Sequence, residues 1–122
     1  MFERLTPDAG VASLIENGVP EHYARRNSWL VPGNKECILE LYRSAVLIGE
    51  EWQPELERID VPAMVIWGRD DPYVSLSWGE RLAGRIRAEL VVLDCGHWWP
   101  YQRPRETAEA LIRLWSTERE DL

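Results

Sequence analysis

Apolar residues recur with a helical period through the first half of the chain, then gather into short unbroken runs in the second half. Thr6-Pro7 reads as a helix start: threonine can cap, and proline at the first turn loses no needed hydrogen bond. Gly18 and Pro20 stop that helix. A second short helix is predicted from Glu21 to about Trp29, broken by Pro32-Gly33. Asn34 can cap a third, on which Ile38, Leu39, Leu41, Tyr42, Ala45 and Val46 recur at helical spacing. A helical turn from Pro54 to Arg58 leads out, and no strand is predicted before that point.

Beyond it the texture changes. Ala63-Met64-Val65-Ile66-Trp67 is a continuous apolar run between Val61-Pro62 and Gly68, which suits a strand covered on both faces, as in parallel sheets. Trp78, Leu82 and Ile86 share a helical face, Leu90-Val91-Val92-Leu93 forms a second run closed by Gly96, and Pro104 opens a last helix marked by Ala108, Leu111, Ile112 and Trp115. Trp67, Trp78 and Trp115 fall on the predicted core faces. The order strand, helix, strand, helix predicts an α/β unit with two parallel strands and a right-handed crossover. In open α/β sheets chemistry lies beyond the carboxyl ends of the strands, here at Gly68–Pro72 and Asp94–His97.

Composition narrows the field. Of the 122 residues, 45% are hydrophobic and 29% charged, a globular balance. The net charge of −7 and the lack of a basic stripe speak against a nucleic-acid partner. Seven tryptophans point to an aromatic core, an interface or an apolar pocket. Cys37 and Cys95 match no zinc spacing, no metal or organic cofactor is implied, and a reduced, cytoplasmic chain is the simplest reading. There is no signal-peptide pattern and no apolar run near the roughly 18 residues of a membrane span, so no membrane partner is expected.

Two polar groups follow the buried runs. Asp71, before Pro72, is a common turn residue and equally a candidate acid; His97, after Gly96, is a loop histidine or a candidate base. Together, and in this order, they carry a resemblance. The segment Val61-Pro62-Ala63-Met64-Val65-Ile66-Trp67-Gly68-Arg69-Asp70-Asp71-Pro72-Tyr73-Val74 is similar to the penultimate core strand and acid loop of α/β-hydrolases. Asp94-Cys95-Gly96-His97-Trp98-Trp99-Pro100 resembles their histidine loop, and Arg103-Pro104-Arg105-Glu106 the start of their final helix.

The resemblance implies a partial α/β-hydrolase fold, with a helical cap-like segment over residues 1–58 and a β-α-β-α part of the core over 59–122. It implies that Asp71 orients and stabilises the imidazole of His97, which acts as general base on a nucleophile or water. Asp70 is a lesser alternative for the acid. Trp98 and Trp99 either line the substrate pocket or cover the histidine loop. Trp29 and Trp52 are read as cap or interface contacts.

Departures from that family's pattern matter as much. No Gly-x-Ser-x-Gly nucleophile elbow occurs in the chain, nor does an oxyanion segment of His-Gly type. Ser75 and Ser77 lie too close to Asp71 along the loop to serve as nucleophile, and Cys95, two residues from His97, is read as a buried structural cysteine. The expectation is therefore a piece of a hydrolase of small, apolar, ester-like substrates that is inactive alone. The alternative is a non-catalytic remnant serving oligomerisation or partner binding. Two parallel strands leave an unpaired edge, which invites association. The chain is thus expected to be a truncated piece, one half of an enzyme whose amino-terminal half is encoded separately, or a homo-oligomer.

Overall fold

Ten short elements, none longer than Pro104–Thr117, make up the described chain, and only two of them are strands. A computed structural model describes residues 6–26 and 34–117. The chain divides into two compact units, Met1–Pro54 and Glu55–Leu122.

In the first unit, helix α1 (Pro7–Glu16) begins where the sequence places it. The Thr6 hydroxyl accepts from the Ala9 N–H at 3.3 Å, with Pro7 in the first turn. Such a cap is worth about 1 kcal/mol. At the far end Gly18 adopts φ 87°, a left-handed conformation open to glycine at little cost, and lets Val19 N–H reach back to the Leu14 carbonyl at 3.0 Å. Helix α2 (Glu21–Arg26) follows, and Val11, Leu14, Val19 and Ala24 are buried. The sequence extends α2 to about Trp29; that end, like Trp29 itself, lies outside the described residues.

Helix α3 (Asn34–Ser44) passes through a 3₁₀ turn, Ala45–Leu47, into α4 (Ile48–Leu56). Helical structure thus begins earlier than the turn predicted at Pro54, and Pro54 sits inside α4 near its end. There proline's missing N–H and its clash with the carbonyl four residues back disturb only the last turn. The apolar stripe that begins on α3 is only partly covered: Ile38, Leu39 and Ala45 are half-buried, whereas Leu41 and Tyr42, and beyond the helix Val46, Leu47 and Trp52, are exposed.

The second unit holds strands β1 (Met64–Gly68) and β2 (Glu89–Leu93), paired in parallel with Val65 opposite Leu90 and Gly68 opposite Leu93. Helix α5 (Leu76–Ile86) joins them. Its Ser75 cap accepts from Ser77 N–H, and it ends on Arg87 at φ 55°, from which the chain turns directly into β2. Gly79 packs α5 onto the Trp67 ring; a methyl there would lie 2.8 Å from the indole. Helix α6 (Trp99–Gln102), which the sequence did not announce, precedes α7 (Pro104–Thr117).

Two expectations about packing fail. Trp78 and Trp115, assigned to core faces, are each 59% exposed, and Ala108 and Ile112 are exposed as well. The buried positions of α7 are Thr107 and Ala110, and α5 buries Gly79 and Ala83. The backbone approaches most closely through small residues, so the large apolar side chains on the neighbouring stripe are turned outward. Trp78 instead stacks under the Arg81 guanidinium, 4.0 Å from its ring centroid, a cation–π contact. The strands are likewise only partly covered: Val65, Gly68 and Leu93 are buried, while Met64, Ile66 and Trp67 are intermediate.

Candidate active site

Parallel pairing in register brings the carboxyl ends of β1 and β2 side by side, and with them the two loops that the sequence singled out. Backbone bonds tie these loops together. Arg69 N–H donates to the Leu93 carbonyl at 2.8 Å and Asp70 N–H to the Cys95 carbonyl at 3.0 Å. Gly68 is required at the crossing. A methyl on its Cα would fall within 2.7 Å of the Cys95 carbonyl oxygen and still closer to that of Gly96. Only a residue without a side chain lets the two backbones approach this closely.

The crossing delivers Asp71 to His97. Asp71 Oδ2 lies 2.8 Å from His97 Nδ1, and the other oxygen, Oδ1, accepts from the N–H groups of Tyr73 at 2.8 Å and Val74 at 3.1 Å. The two oxygens of Asp71 thus have different partners. One oxygen organises the local turn, and the other is left to face the imidazole. The Asp71 side chain is 7% exposed and that of His97 40%. Burial pushes the Asp71 carboxyl up, but the hydrogen bonds from His97, Tyr73 and Val74 outweigh it and hold the group below its ordinary value. The carboxylate is therefore ionised near neutral pH and can only accept. Nδ1 of His97 must carry the hydrogen, which leaves Nε2 of the neutral ring with its lone pair.

Aromatic rings frame the imidazole. Tyr73 and Trp98 each meet it edge to face, with centroids 5.1 Å and 5.2 Å away, and Tyr101 packs beyond Trp98 at 6.3 Å. Of the two tryptophans proposed for the pocket, Trp98 is in contact with His97, while Trp99 opens α6 half-buried. Tyr73 was missed by sequence reasoning. No local pattern in the sequence signals it, because the contact runs between two loops.

The neighbouring polar groups have other tasks. Asp70 is exposed. Asp94 pairs with Arg69 at 2.7 Å; the bond and the charge of Arg69 lower the Asp94 pKa and raise that of Arg69. Cys95 is buried, and desolvation pushes its thiol up despite Arg103 nearby, so it stays protonated and poorly nucleophilic. Ser75 and Ser77 bond to each other at 3.1 Å at the start of α5. Among the described residues no cluster of three or more His, Cys, Asp or Glu side chains could hold a metal ion, and no helix is long and apolar enough to cross a membrane. An open cleft of about 360 Å³ lies at the other end of the sheet, lined by Ile59, Asp60, Val61, Pro62, Ile86 and Arg87, away from both candidate residues.

The parallel βαβ unit, with Asp71 after its first strand and His97 after its second, is an α/β arrangement. The sequence model of the alpha/beta hydrolase family matches residues 4–110, and the chain belongs to that family. Monoacylglycerol lipase ABHD6 of Mus musculus is 36% identical over 108 residues, covering 87% of this chain and 29% of the lipase. The 2-hydroxy-6-oxononadienedioate/2-hydroxy-6-oxononatrienedioate hydrolase 1 of Dechloromonas aromatica is 46% identical over 50 residues, 39% of this chain and 17% of that enzyme. Its namesake in Paraburkholderia xenovorans matches to the same extent. The chain therefore spans less than a third of the length of these relatives.

Proposed function

We propose that this chain supplies the acid and the general base of a small-molecule hydrolase, Asp71 and His97, to a site whose nucleophile lies outside these 122 residues. The observation that carries the reading is the 2.8 Å contact between Asp71 Oδ2 and His97 Nδ1 at the carboxyl end of a parallel strand pair. In this role His97 Nε2 takes the proton of the attacking hydroxyl or water, and Asp71 stabilises the imidazolium that forms. The same proton then passes to the leaving group. The segment over residues 1–58 acts as part of a cap, and Trp98 and Trp99 line the substrate pocket, Trp98 beside the base.

The relatives' names support the substrate class, an oxononadienedioate in one case and a monoacylglycerol in the other. Both contain a carbonyl carbon, the electrophile that an activated nucleophile attacks, and an ester-like substrate is the reading carried here. No cofactor enters the step.

Two measurements test this. With a chromogenic 4-nitrophenyl ester, the pure chain should show no turnover above that of its His97→Ala variant. Turnover that His97→Ala abolishes would mean that a nucleophile lies within the chain after all. The pair itself is read by NMR of the imidazole nitrogens: Asp71→Asn should remove the slowly exchanging Nδ1–H signal of His97. If the wild-type chain shows no such signal, the two side chains do not form the proposed pair.

A second reading, a non-catalytic remnant used for oligomerisation or partner binding, draws on the exposed row Leu41, Tyr42, Val46, Leu47 and Trp52. Light scattering on the eluting protein separates the two. A discrete assembly that persists in dilute solution favours this reading, and a monomer removes it.

A further inference from the structure

The loop that carries His97 is held at every residue that precedes it. The Leu93 and Cys95 carbonyls accept from the acid loop, and the Asp94 carbonyl accepts from the Arg103 guanidinium at 2.7 Å. The Gly96 N–H lies immediately before the histidine. It donates to Oε1 of Gln102 at 2.7 Å, in a part-buried setting. The Gln102 amide also lies about van der Waals distance from where a side chain on Gly96 would begin.

Gln102 is well placed to do this because its own backbone is anchored. Helix α6 doubles the chain back on the histidine loop, with the N–H groups of Tyr101 and Gln102 donating to the Trp98 carbonyl at 3.0 Å and 3.1 Å. The Arg103 N–H then reaches the Trp99 carbonyl at 2.8 Å, and the Arg103 side chain returns to Asp94. One short helix therefore grips the loop at two points, Asp94 and Gly96, on either side of Cys95. The Gly96 N–H lies in the Cys95–Gly96 peptide plane, so the bond to Gln102 fixes that plane and with it the direction in which the chain enters His97. Without an acceptor there, a part-buried N–H is left unpaired, and the loop gains by rotating it toward water.

We propose that Gln102 is a positioning residue for His97: its side-chain carbonyl holds the Cys95–Gly96 peptide so that Nδ1 stays in register with Asp71. The inference rests on the reading of Asp71 and His97 as a working pair. It assigns no chemical step to Gln102, which acts only through the backbone of the loop.

The test uses the full chain with ¹⁵N-labelled histidine. Only His22 and His97 are present, so His22, which packs against Tyr23 in the other unit, serves as an internal control. The readout is solvent exchange of the His97 Nδ1–H. Gln102→Leu keeps the volume and removes the acceptor, and should speed this exchange about tenfold, the effect of losing one buried hydrogen bond. Gln102→Glu keeps an acceptor at the same reach and should return the rate to within about twofold of wild type by restoring that bond. His22 should be unaffected in both.

An unchanged His97 rate in Gln102→Leu, with the wild-type Nδ1–H present and abolished by Asp71→Asn, would overturn the positioning role and leave the pair standing. Failure of Gln102→Glu to rescue would also overturn it. If Gln102→Leu disturbs the His22 signals as well, Gln102→Asn, one methylene too short to reach Gly96, is the deciding variant, and it must accelerate exchange for the proposal to survive. Absence of the Nδ1–H signal in the wild type would sink the pair and this inference together.

Discussion

The α3–α4 segment and the paired loops of the strand-bearing unit are specified in different ways. Along α3 and α4 the apolar positions follow a regular helical stripe, and yet Leu41, Tyr42, Val46, Leu47 and Trp52 stand exposed. At the carboxyl ends of β1 and β2 few side chains are fully buried, but backbone hydrogen bonds tie the two loops to each other, and Gln102 and Arg103 hold the histidine loop. The first region is specified by pattern without cover, and the second by close backbone approach. An apolar stripe states which surface gains from leaving water, and says nothing of what covers it. A backbone crossing that admits only glycine allows far fewer alternatives.

The comparison is most easily broken at that crossing. Gly68→Ala puts a methyl against two backbone carbonyls that cannot move without separating the loops, and should cost about 3 kcal/mol. Urea unfolding followed by tryptophan fluorescence checks this, and the His97 Nδ1–H signal should disappear in the same variant. Leu93→Ala, at the end of β2, removes one of the few buried large side chains of the unit. It should cost about 2 kcal/mol by the same measurement, the low end for such truncations because the strand pair is only partly covered.

Acid sharpens the comparison next. The folded-state pKa of Asp71 is lowered, so its contribution to stability is complete above the ordinary carboxylate value, about 3.9, and is lost as pH falls through the lower folded value. Stability of wild type and Asp71→Asn should converge below about pH 4. Near neutral pH the variant should be weaker by about 1 kcal/mol, a modest figure because His97 is partly exposed and solvent screens the pair. A difference that persists unchanged into acid would mean that the carboxylate charge is not what stabilises the contact.

The smallest effect is expected in the helical unit. Val46→Ser, on the exposed face at 77% exposure, should change stability by less than about 0.5 kcal/mol. A loss comparable to that of Leu93→Ala would show that this face is covered in solution, and would move the weight of the functional reading toward assembly.

Local chemistry in the chain was enough to place most elements. Thr6 and Pro7 start α1 and Gly18 ends it because capping and left-handed turns depend on neighbouring residues alone. The two apolar runs became β1 and β2, within a residue of their expected limits, because an unbroken run of branched and aromatic residues closed by glycine has few other uses. Asp71 and His97 were singled out as candidates because each lies in the loop after such a run and the two loops together resemble those of a known family.

What the tertiary structure alone decided is distance and facing. Parallel register placed Asp71 against His97 although 25 residues separate them in the chain. It also turned Trp78 and Trp115 outward, because α5 and α7 bury their small residues instead. The roles of Tyr73, Gln102 and Gly68 depend on contacts across the loop or between loops that helical or strand periodicity does not encode. Periodicity reports the direction of a side chain relative to its own element, whereas a site depends on the direction of one element relative to another.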